Sequence, residues 1–463
     1  MGMARLVIVS NRVPTSAPGH RAGGLAVALK DAVGPGTLWF GWSGQTAAET
    51  STEARVDRRG GVDYATIDLS RDAYNKFYVG FANGTLWPLL HFRPGLMEFR
   101  REQLEGYRQA NEIFAAALTK LLKPDDLVWV HDYHLIPMAD ALRRLGVKNR
   151  IGFFLHIPFV PSSLFAALPR GADLLYDFCA YDVVGFQTAE HRDDFLDCVR
   201  RILNLTAEDG EITVGANRTV RSIVDPIGID WSSFHHQAIR SAKSRNTQRL
   251  KDSLGNRKLM IGVDRLDYSK GLPNRFEAFR RLFERFPEHN SKVNYLQIAA
   301  PSREDVREYA ALRHVLNRMA GDVNGRHGAF DWVPLRYMSQ GLARSTLAGF
   351  YRLARIGLVT PLRDGMNLVA HEYVAAQDQE DPGVLILSSF AGVANYFGDA
   401  LIVNPFDPDE IAEAMHQALV MPLEERKVRH AGMFERLKTL SAKAFCESFL
   451  IALDDAAPAK AAA

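Results

Sequence analysis

Short apolar runs rich in β-branched residues alternate with longer amphipathic stretches along almost all 463 residues of the chain. This alternation is typical of parallel sheets wound with helices, and runs that are apolar throughout indicate strands buried on both faces. The fold class is therefore predicted to be α/β. The predicted strands are Arg5–Ser10, Leu127–His131, Ile151–Leu155, Val183–Phe186, Leu259–Val263, Asn294–Ala299, Ile356–Thr360 and Val384–Ser388. The predicted helices are Gly24–Ala32, Leu96–Lys120, Ala139–Leu145, Pro273–Phe286, Arg303–Met319 and Leu368–Gln377.

The length of the chain predicts two domains, because a single hydrophobic core stops growing at roughly 250–300 residues. A segment that carries Pro and Gly, Pro226–Asp230, gives way to the polar stretch Ser241–Lys251. We place the boundary after this segment, which gives a first domain of residues 1–230 and a second of residues 231–441.

Charge and cysteine usage exclude several classes of function. The 56 basic and 54 acidic residues leave a net charge of +2, so the overall field does not favour a nucleic acid. The three cysteines show no CxxC spacing, which argues against a disulfide framework and a thiolate metal site. Neither a signal peptide nor a membrane-spanning run is visible, so a cytoplasmic location with no membrane association is expected.

Motifs for several common cofactors are also missing. The chain has no Gly-Lys dipeptide for a Walker A loop, and no complete GxGxxG follows the first strand. The pair His371-Glu372 is followed by Ala375 where a zinc-binding HExxH motif needs its second His. We therefore expect neither a metal nor a cofactor.

The strongest local signal is Thr360–Glu372, in which a predicted buried strand runs into a glycine-containing turn and then a helix. Open amides of Gly365, Met366 and Asn367 at the helix start would bind an anion such as a diphosphate. Asp364 and Glu372 bracket that position. The alternative is that Asp364 only caps the helix and Glu372 is a solvated side chain.

A second signal, Gly262–Gly271, follows another buried strand and places Arg265 and Lys270 five residues apart in one loop. An Arg fork and a mobile Lys charge suit a leaving diphosphate, whose negative charge grows in the transition state. The alternative is a surface loop in which Asp264 and Asp267 form salt bridges with these cations.

The first half of the chain gives weaker signals. Ser10–Arg12 and Gly23-Gly24 bracket a polar loop, and His156 ends an apolar strand. Taken alone, His156 is most simply a core histidine. In the same way Trp42, Tyr78, Trp87 and Asp132 are most simply core aromatic residues and a strand-end acid.

Several longer motifs together resemble the trehalose-6-phosphate synthase family, and the match runs from about the first strand almost to the C-terminus. These motifs are Phe40-Gly-Trp42-Ser-Gly, Leu86-Trp87-Pro88, Trp129-Val-His-Asp132-Tyr-His-Leu, Phe153-Phe-Leu-His156-Ile-Pro-Phe, Gly185-Phe-Gln-Thr188, Asp264-Arg265-Leu-Asp-Tyr-Ser-Lys270-Gly and Pro361-Leu-Arg-Asp364-Gly-Met-Asn-Leu-Val. The resemblance implies two Rossmann-like domains facing a cleft, the GT-B type of glycosyltransferase. It also implies a C-terminal helix, residues 442–456, that crosses back to the first domain.

The family's activity is the transfer of glucose from UDP-glucose to glucose 6-phosphate with retention, giving trehalose 6-phosphate and UDP, the first step of trehalose biosynthesis. The resemblance implies that Arg, Lys and backbone amides take the place of a metal ion. A separate trehalose-6-phosphate phosphatase is expected to act downstream, and the chain is expected to form a homo-oligomer.

The resemblance also implies roles for individual residues. Arg265, Lys270, Asp364 and His156 are the implied catalytic residues. The implied donor-binding residues are Gly24, Arg265, Lys270, Met366, Asn367, Leu368, Val369 and Glu372, with Glu372 on the ribose hydroxyls. For the acceptor, Arg12, Tyr78 and Arg303 match residues that hold the phosphate, and Trp42, Trp87 and Asp132 match residues around the sugar.

Three alternatives stay open at this stage: a sister transferase with another acceptor such as glycerol 3-phosphate, a catalytically silent subunit of a trehalose complex, and an NAD-dependent dehydrogenase. The acceptor residues disfavour the sister transferase, and the retained donor residues disfavour the silent subunit. The missing glycine fingerprint disfavours the dehydrogenase. One position departs from the family pattern, since His371 stands where relatives often carry Lys. The sequence leaves open the choice among UDP-, ADP- and GDP-glucose.

Overall fold

The computed structural model describes residues 4–14, 29, 33–215, 218–303 and 306–456. The chain divides into two compact units, one of Met1–Ile227 with Ala442–Ala463 and the other of Gly228–Ser441. The division falls inside the Pro226–Asp230 segment from which the sequence boundary was taken. Among the residues described, no helix combines the length and the apolar character that crossing a bilayer requires.

The first unit contains a ten-stranded sheet of order β3-β4-β2-β1-β5-β6-β7-β10-β9-β8. Its strands are β1 (Leu6–Arg12), β2 (Leu38–Ala47), β3 (Arg55–Arg59), β4 (Val62–Ser70), β5 (Leu127–His131), β6 (Ile151–Leu155), β7 (Val183–Phe186), β8 (Ala207–Glu208), β9 (Glu211–Val214) and β10 (Arg218–Val224). The central strands pair in parallel, and only the β3-β4, β9-β10 and β8-β9 pairs at the two edges are antiparallel.

Helices cover this sheet between the strands. They are Arg71–Tyr74, the π-helix Asn75–Leu86, Trp87–Leu90, Arg101–Thr119, Met138–Arg144, Ser162–Phe165, Gly171–Phe178, Ala189–Leu203 and the C-terminal helix Ala442–Asp454, with short 3-10 turns at Pro94–Leu96 and Tyr133–Leu135.

The second unit contains a six-stranded sheet of order β13-β12-β11-β14-β15-β16, in which every pair is parallel. Its strands are β11 (Lys258–Arg265), β12 (Val293–Ala300), β13 (Leu335–Met338), β14 (Ile356–Val359), β15 (Val384–Ser388) and β16 (Leu401–Val403). Its helices are Trp231–Ala242, Arg245–Leu254, Leu272–Arg285, Arg307–His327, Arg344–Leu353, Leu368–Ala376, Pro408–Val420 and Leu423–Thr439, with 3-10 turns at Tyr268–Lys270, Pro287–His289 and Gly392–Asn395.

In each parallel region the chain adds strands first on one side of a central strand and then on the other. The candidate site lies at this reversal of the strand order. In the second sheet the chain proceeds from β11 outward to β12 and from β14 outward to β15, so β11 and β14 flank the reversal. In the first sheet β1 and β5 do the same. Open α/β sheets bind ligands beyond the carboxyl ends of such strands, because the connecting helices diverge there and leave a crevice.

The predicted α/β class is confirmed, and all eight predicted strands are present. Leu127–His131, Ile151–Leu155, Val183–Phe186 and Val384–Ser388 have the predicted bounds, since they are apolar runs with clear breaks. The edge strand β3 was missed because four of its five residues are charged.

Two helix predictions need comment. The helix predicted from Arg303 was wrong in its start: the structure begins it at Arg307, because Arg303 has a φ of 47° in the left-handed region. The predicted helix Gly24–Ala32 lies, apart from Leu29, outside the described residues.

The C-terminal helix Ala442–Asp454 packs on the sheet of the first unit through Phe449. Its ring stacks on Trp129 with centroids 4.5 Å apart and planes 11° apart. A Cβ atom at Gly152 would lie 2.6 Å from the Phe449 ring, and one at Gly185 would lie 2.8 Å from it. Glycine on two neighbouring strands therefore makes the space that the helix fills.

We expect Phe449→Ala to lower the free energy of unfolding by about 3–5 kcal/mol, because it removes a fully buried aromatic ring and leaves a cavity. Ile451→Ala is the matched control on the same helix, since Ile451 is 62% exposed and should cost at most about 0.5 kcal/mol. Urea unfolding followed by circular dichroism measures both. Equal effects of the two substitutions would contradict this packing.

Candidate functional site

The loops after β11 and β14 bring Lys270 and Asp364 together. Arg265 is the last residue of β11 and is exposed, and Lys270 ends the following 3-10 turn and is buried. The Lys270 Nζ atom donates to Asp364 Oδ2 at 2.5 Å, with both side chains largely buried. Two residues singled out from separate motifs thus meet at the strand reversal of the second sheet.

Asn367, rather than Asp364, caps the helix Leu368–Ala376. Asn367 has a φ of 82°, and its Oδ1 atom accepts hydrogen bonds from the amides of Val369 (3.1 Å) and Ala370 (3.4 Å). The alternative in which Asp364 is the cap is therefore wrong. An anion at this helix start would replace a neutral amide oxygen, and charge-assisted hydrogen bonds are roughly twice as strong as neutral ones.

Asp364 is instead surrounded by donors. Besides Lys270, Asn367 Nδ2 donates to its Oδ2 atom at 2.9 Å, and the amide of Gly365 donates to its Oδ1 atom at 3.0 Å. The prediction that the Gly365 amide is open for an anion was thus wrong. The Met366 side chain is buried, and its carbonyl accepts from the amide of Val393 at 3.1 Å, which holds the turn in place.

A buried arginine that the sequence analysis missed joins these loops. Arg275, on the helix Leu272–Arg285, is fully buried and donates to Asp264 Oδ2 (2.7 Å), Thr360 Oγ1 (3.0 Å), Gln297 Oε1 (2.9 Å) and the carbonyl of Lys270 (3.2 Å). It therefore contacts the end of β11, the loop that carries Lys270 and the residue after β14. The sequence contains one signal for a buried Arg275, because its spacing places it on the same helical face as the apolar residues of Leu272–Arg285.

Asp267 and Arg303 form a second buried pair. Arg303 Nη1 donates to Asp267 Oδ2 at 3.0 Å and contacts the Tyr309 hydroxyl at 2.6 Å, and Asp267 is fully buried. Because Asp264 pairs with Arg275 and Asp267 with Arg303, the alternative of a surface salt-bridge loop is wrong. The structure places the Arg303 guanidinium beside the loop of Lys270.

Glu372 is held by a cation that the sequence gave no reason to choose. Arg344 Nε donates to Glu372 Oε1 at 2.9 Å, and the Arg344 guanidinium lies over the Phe234 ring at 4.7 Å. The Glu372 side chain is only 16% exposed, so the alternative of a solvated carboxylate is wrong. Burial raises the pKa of Glu372, and Arg344 opposes that rise.

His371 lies in the core. It is fully buried, packs on Phe397 with ring centroids 5.3 Å apart, and burial lowers its pKa to about 4. At neutral pH it is uncharged, so it adds no positive charge to this helix. Leu368 and Val369 are half-buried at the start of the same helix.

His156 and Asp132 meet at the carboxyl ends of β5 and β6 in the first unit. The amide of His156 donates to Asp132 Oδ1 at 3.3 Å, and His156 Nε2 lies 3.0 Å from His131 Nδ1. On the other side of the ring, Gln187 Nε2 lies 3.5 Å from His156 Nδ1, while Gln187 Oε1 accepts from the amide of Ile227 at 3.0 Å. Burial lowers the pKa of His156 to about 3, so this histidine is neutral at physiological pH.

An aromatic row connects the remaining predicted residues of the first unit. Trp42 and Tyr78 have centroids 5.7 Å apart, and Tyr78 stacks on His134 at 5.6 Å. His134 packs on Tyr133 at 3.9 Å, and Tyr133 on Trp87 at 5.6 Å. His134 and Tyr133 were missed, although both lie in a motif that the sequence analysis quoted.

Arg12 lies at the end of this row. It is the last residue of β1, and its guanidinium carbon is 5.8 Å from the centre of the Trp42 ring. Gly44 makes this position possible: it has a φ of 88°, and a Cβ atom there would lie 2.4 Å from Arg12 Nε. Gly24, the remaining predicted donor residue, lies outside the described residues.

Each unit thus offers a different chemistry. The second presents two cations and a helix start, which suits a diphosphate, and the first presents a guanidinium, aromatic faces and a carboxylate, which suit a sugar phosphate. The described residues contain one group able to hold a metal ion, Glu288, His289 and His416, and none of these residues was predicted as a site residue.

Comparisons with known proteins agree along the whole chain. The family model described as Glycosyltransferase family 20 matches residues 7–455. Trehalose-6-phosphate synthase of Cronobacter sakazakii is 47% identical over 459 residues, which cover 98% of this chain and 96% of that protein. The protein of the same name from Sinorhizobium fredii is 46% identical over 453 residues, covering 97% and 98%.

Solved structures agree equally well. An α,α-trehalose-phosphate synthase (UDP-forming) from Burkholderia xenovorans in complex with glucose-6-phosphate matches with a TM-score of 0.93 and 46% identity, covering 97% of this chain and 100% of that one. A structure from E. coli bound with UDP-2-fluoro glucose matches with a TM-score of 0.92 and 44% identity, covering 98% and 100%.

The buried pair of Arg275 and Asp264 gives a prediction about stability. Arg275→Met should lower the free energy of unfolding by about 3–5 kcal/mol, because it leaves Asp264 buried without its cation. Combining it with Asp264→Leu should restore part of that loss, since replacing both partners of a buried pair by apolar groups is often nearly neutral.

Urea unfolding of the two single variants and the double variant measures this coupling. Arg326→Met is the control, because Arg326 pairs with Asp322 on an exposed helix face and such pairs contribute about 0–1 kcal/mol. Losses that simply add in the double variant would contradict a direct interaction.

Proposed function

This chain belongs to glycosyltransferase family 20, and we propose on that premise that it transfers glucose from UDP-glucose to glucose 6-phosphate with retention, giving trehalose 6-phosphate and UDP. The observation that carries the proposal is the contact between Lys270 and Asp364 at the strand reversal of the second sheet. The chain also covers almost the full length of proteins that are named as synthases with this activity.

Arg265 and Lys270 are proposed to stabilise the departing UDP. The bond between the glucose C1 atom and the phosphate oxygen breaks, and the electron pair passes to the diphosphate. Cations that are held in place beforehand stabilise the negative charge of the departing diphosphate without reorganising during the reaction. Such electrostatic stabilisation is usually the largest catalytic contribution. Lys270 is already held by Asp364, and the chain around it by Arg275.

Retention is proposed to proceed without a covalent glycosyl-enzyme. The acceptor hydroxyl attacks C1 from the face that UDP leaves, the new C–O bond forms there, and the hydroxyl proton passes to the leaving phosphate oxygen. Three donors surround the Asp364 carboxylate, and charge-assisted hydrogen bonds of this kind make it a poor nucleophile. We therefore assign Asp364, with His156, to positioning the donor glucose.

The other donor contacts follow the family pattern. Glu372 is proposed to bind the ribose hydroxyls, with Arg344 holding its carboxylate in place. Met366, Asn367, Leu368, Val369 and Gly24 are proposed to approach the donor, largely through main-chain atoms.

The acceptor is proposed to bind through a cationic and an aromatic group. Arg12, Tyr78 and Arg303 would hold the phosphate, and Trp42, Trp87 and Asp132 would surround the sugar. Asp267 holds the Arg303 guanidinium beside the loop of Lys270. A cytoplasmic location, self-association and a separate phosphatase acting downstream stay predictions from the sequence.

A product assay tests the proposed reaction. Purified enzyme is incubated with UDP-, ADP- or GDP-glucose and with glucose 6-phosphate or glycerol 3-phosphate, in buffer with and without EDTA. We expect an α,α-linked disaccharide phosphate from glucose 6-phosphate, identified by NMR couplings, with activity that survives EDTA because cationic side chains replace a metal. A β-linked product, a product only from glycerol 3-phosphate, or no turnover with any pair would overturn the proposal.

Gly44→Ala tests the position of Arg12 in the acceptor site. The added methyl group would displace the Arg12 guanidinium, and losing one charge-assisted contact of about 1.5–3 kcal/mol should raise the KM for glucose 6-phosphate by about tenfold to a hundredfold. UDP-glucose binding, measured by calorimetry, should change little.

Gly36→Ala is the matched control for backbone strain. Gly36 has a similar φ of 91°, but an added Cβ there meets no atom within 4 Å. An unchanged acceptor KM in Gly44→Ala, or the same rise in both variants, would remove Arg12 from the acceptor site.

A further inference from the structure

Two histidines and a glutamate converge in the second unit, away from the residues proposed for catalysis. His289 Nε2 lies 2.9 Å from His416 Nδ1, and His416 Nδ1 lies 3.6 Å from Glu288 Oε1. The three ligand atoms all lie within 4.8 Å of one another. Each belongs to a side chain that binds first-row transition metals, and two of the three are imidazole nitrogens.

The spacing of these atoms fits a tetrahedral ion. Zn²⁺ takes nitrogen and oxygen ligands at about 2.0–2.1 Å, which places neighbouring ligand atoms of a tetrahedron about 3.3 Å apart. The 2.9 Å and 3.6 Å separations bracket that value. These two separations therefore suit two edges of a tetrahedron, and the third pair of ligand atoms lies within 4.8 Å.

Local packing holds the ligands before any ion binds. The His416 ring, on the helix Pro408–Val420, stacks on Phe286 with centroids 4.0 Å apart and planes 9° apart. His289 ends the 3-10 turn Pro287–His289, is 93% buried, and donates its amide to the Phe286 carbonyl at 3.1 Å. Phe286 thus fixes both histidines, one through its ring and the other through its backbone.

The charges around the cluster are mixed. Burial and the nearby His416 lower the pKa of His289, while Glu288 opposes this and Lys258 and Lys292 add to it. A neutral imidazole is the form that binds metal. The two lysines oppose an incoming cation, so moderate affinity is expected.

We propose that Glu288, His289 and His416 bind one divalent transition-metal ion of the zinc type, with water in the fourth position. The turn Pro287–His289 precedes β12, which places the cluster at the amino edge of the second sheet. Lys270 and Asp364 follow β11 and β14 at the carboxyl edge. The ion therefore stabilises the second unit and takes no part in glucosyl transfer.

Binding is tested on the full-length enzyme after EDTA treatment and removal of the chelator. Zn²⁺ is titrated by calorimetry, and Co²⁺ is titrated in parallel by visible absorption, because tetrahedral cobalt with nitrogen and oxygen ligands gives strong bands that an octahedral surface ion lacks. We expect one equivalent with micromolar affinity, tetrahedral cobalt bands, and a Tm that rises by several degrees with saturating Zn²⁺ while kcat stays unchanged.

His416→Ala and Glu288→Gln should each weaken Zn²⁺ binding by at least about tenfold, since even residues that only orient a metal ligand account for about 10- to 100-fold in affinity. The Tm of either variant measured in EDTA shows whether the fold is intact. His236→Ala is the matched control, since His236 lies on the exposed face of another helix of the same unit and binds only the Ser232 carbonyl.

Absence of Zn²⁺ binding to the wild-type enzyme at 100 µM, or equal binding by His416→Ala, would overturn the proposal and leave a plain imidazole–imidazole hydrogen bond. Loss of kcat on adding Zn²⁺ to wild type but not to His416→Ala would overturn the separation from catalysis. The outcomes on Zn²⁺ binding and on Tm do not depend on the identity of the sugar substrates, so the metal site and the proposed reaction can fail independently.

Discussion

The buried guanidinium of Arg275 is the interaction on which the donor half of the site depends. A buried charge is tolerated only when its hydrogen-bond donors have acceptors. Arg275 finds them near the end of β11, within β12, in the loop of Lys270 and directly after β14. The two loops that carry Lys270 and Asp364 are thereby tied to one helix. The strand reversal leaves a crevice for a ligand, and Arg275 holds the backbone around that crevice in place.

Much of this could be predicted from the sequence because the informative residues follow buried strands. The run Ile151–Leu155 has no polar side chain, so its end is sharp, and the polar residue beyond it, His156, must lie at the sheet edge. Lys270 and Asp364 likewise follow buried strands, β11 and β14, and the structure has them at one edge. Arg275 was predictable in principle, because a charge on an otherwise apolar helical face requires a buried partner.

Other features depend on tertiary contacts with no local signal. Arg344 lies 28 residues before Glu372, and no sequence pattern in either segment indicates that the two residues pair. The φ of 47° at Arg303 interrupts a helical pattern that composition alone would extend. The sequence offered Asp364 as a possible cap where the structure has Asn367. Both residue types are good caps, and only the turn geometry decides between them.

The groups around the candidate site differ in charge between the two units. In the second unit Asp264, Asp267 and Asp364 each have a cation within hydrogen-bonding distance. In the first unit the central titratable group is His156, which burial keeps neutral over the physiological range. A neutral imidazole can donate to or accept from a hydroxyl group without adding charge, whereas the cations of the second unit suit a group that carries negative charge.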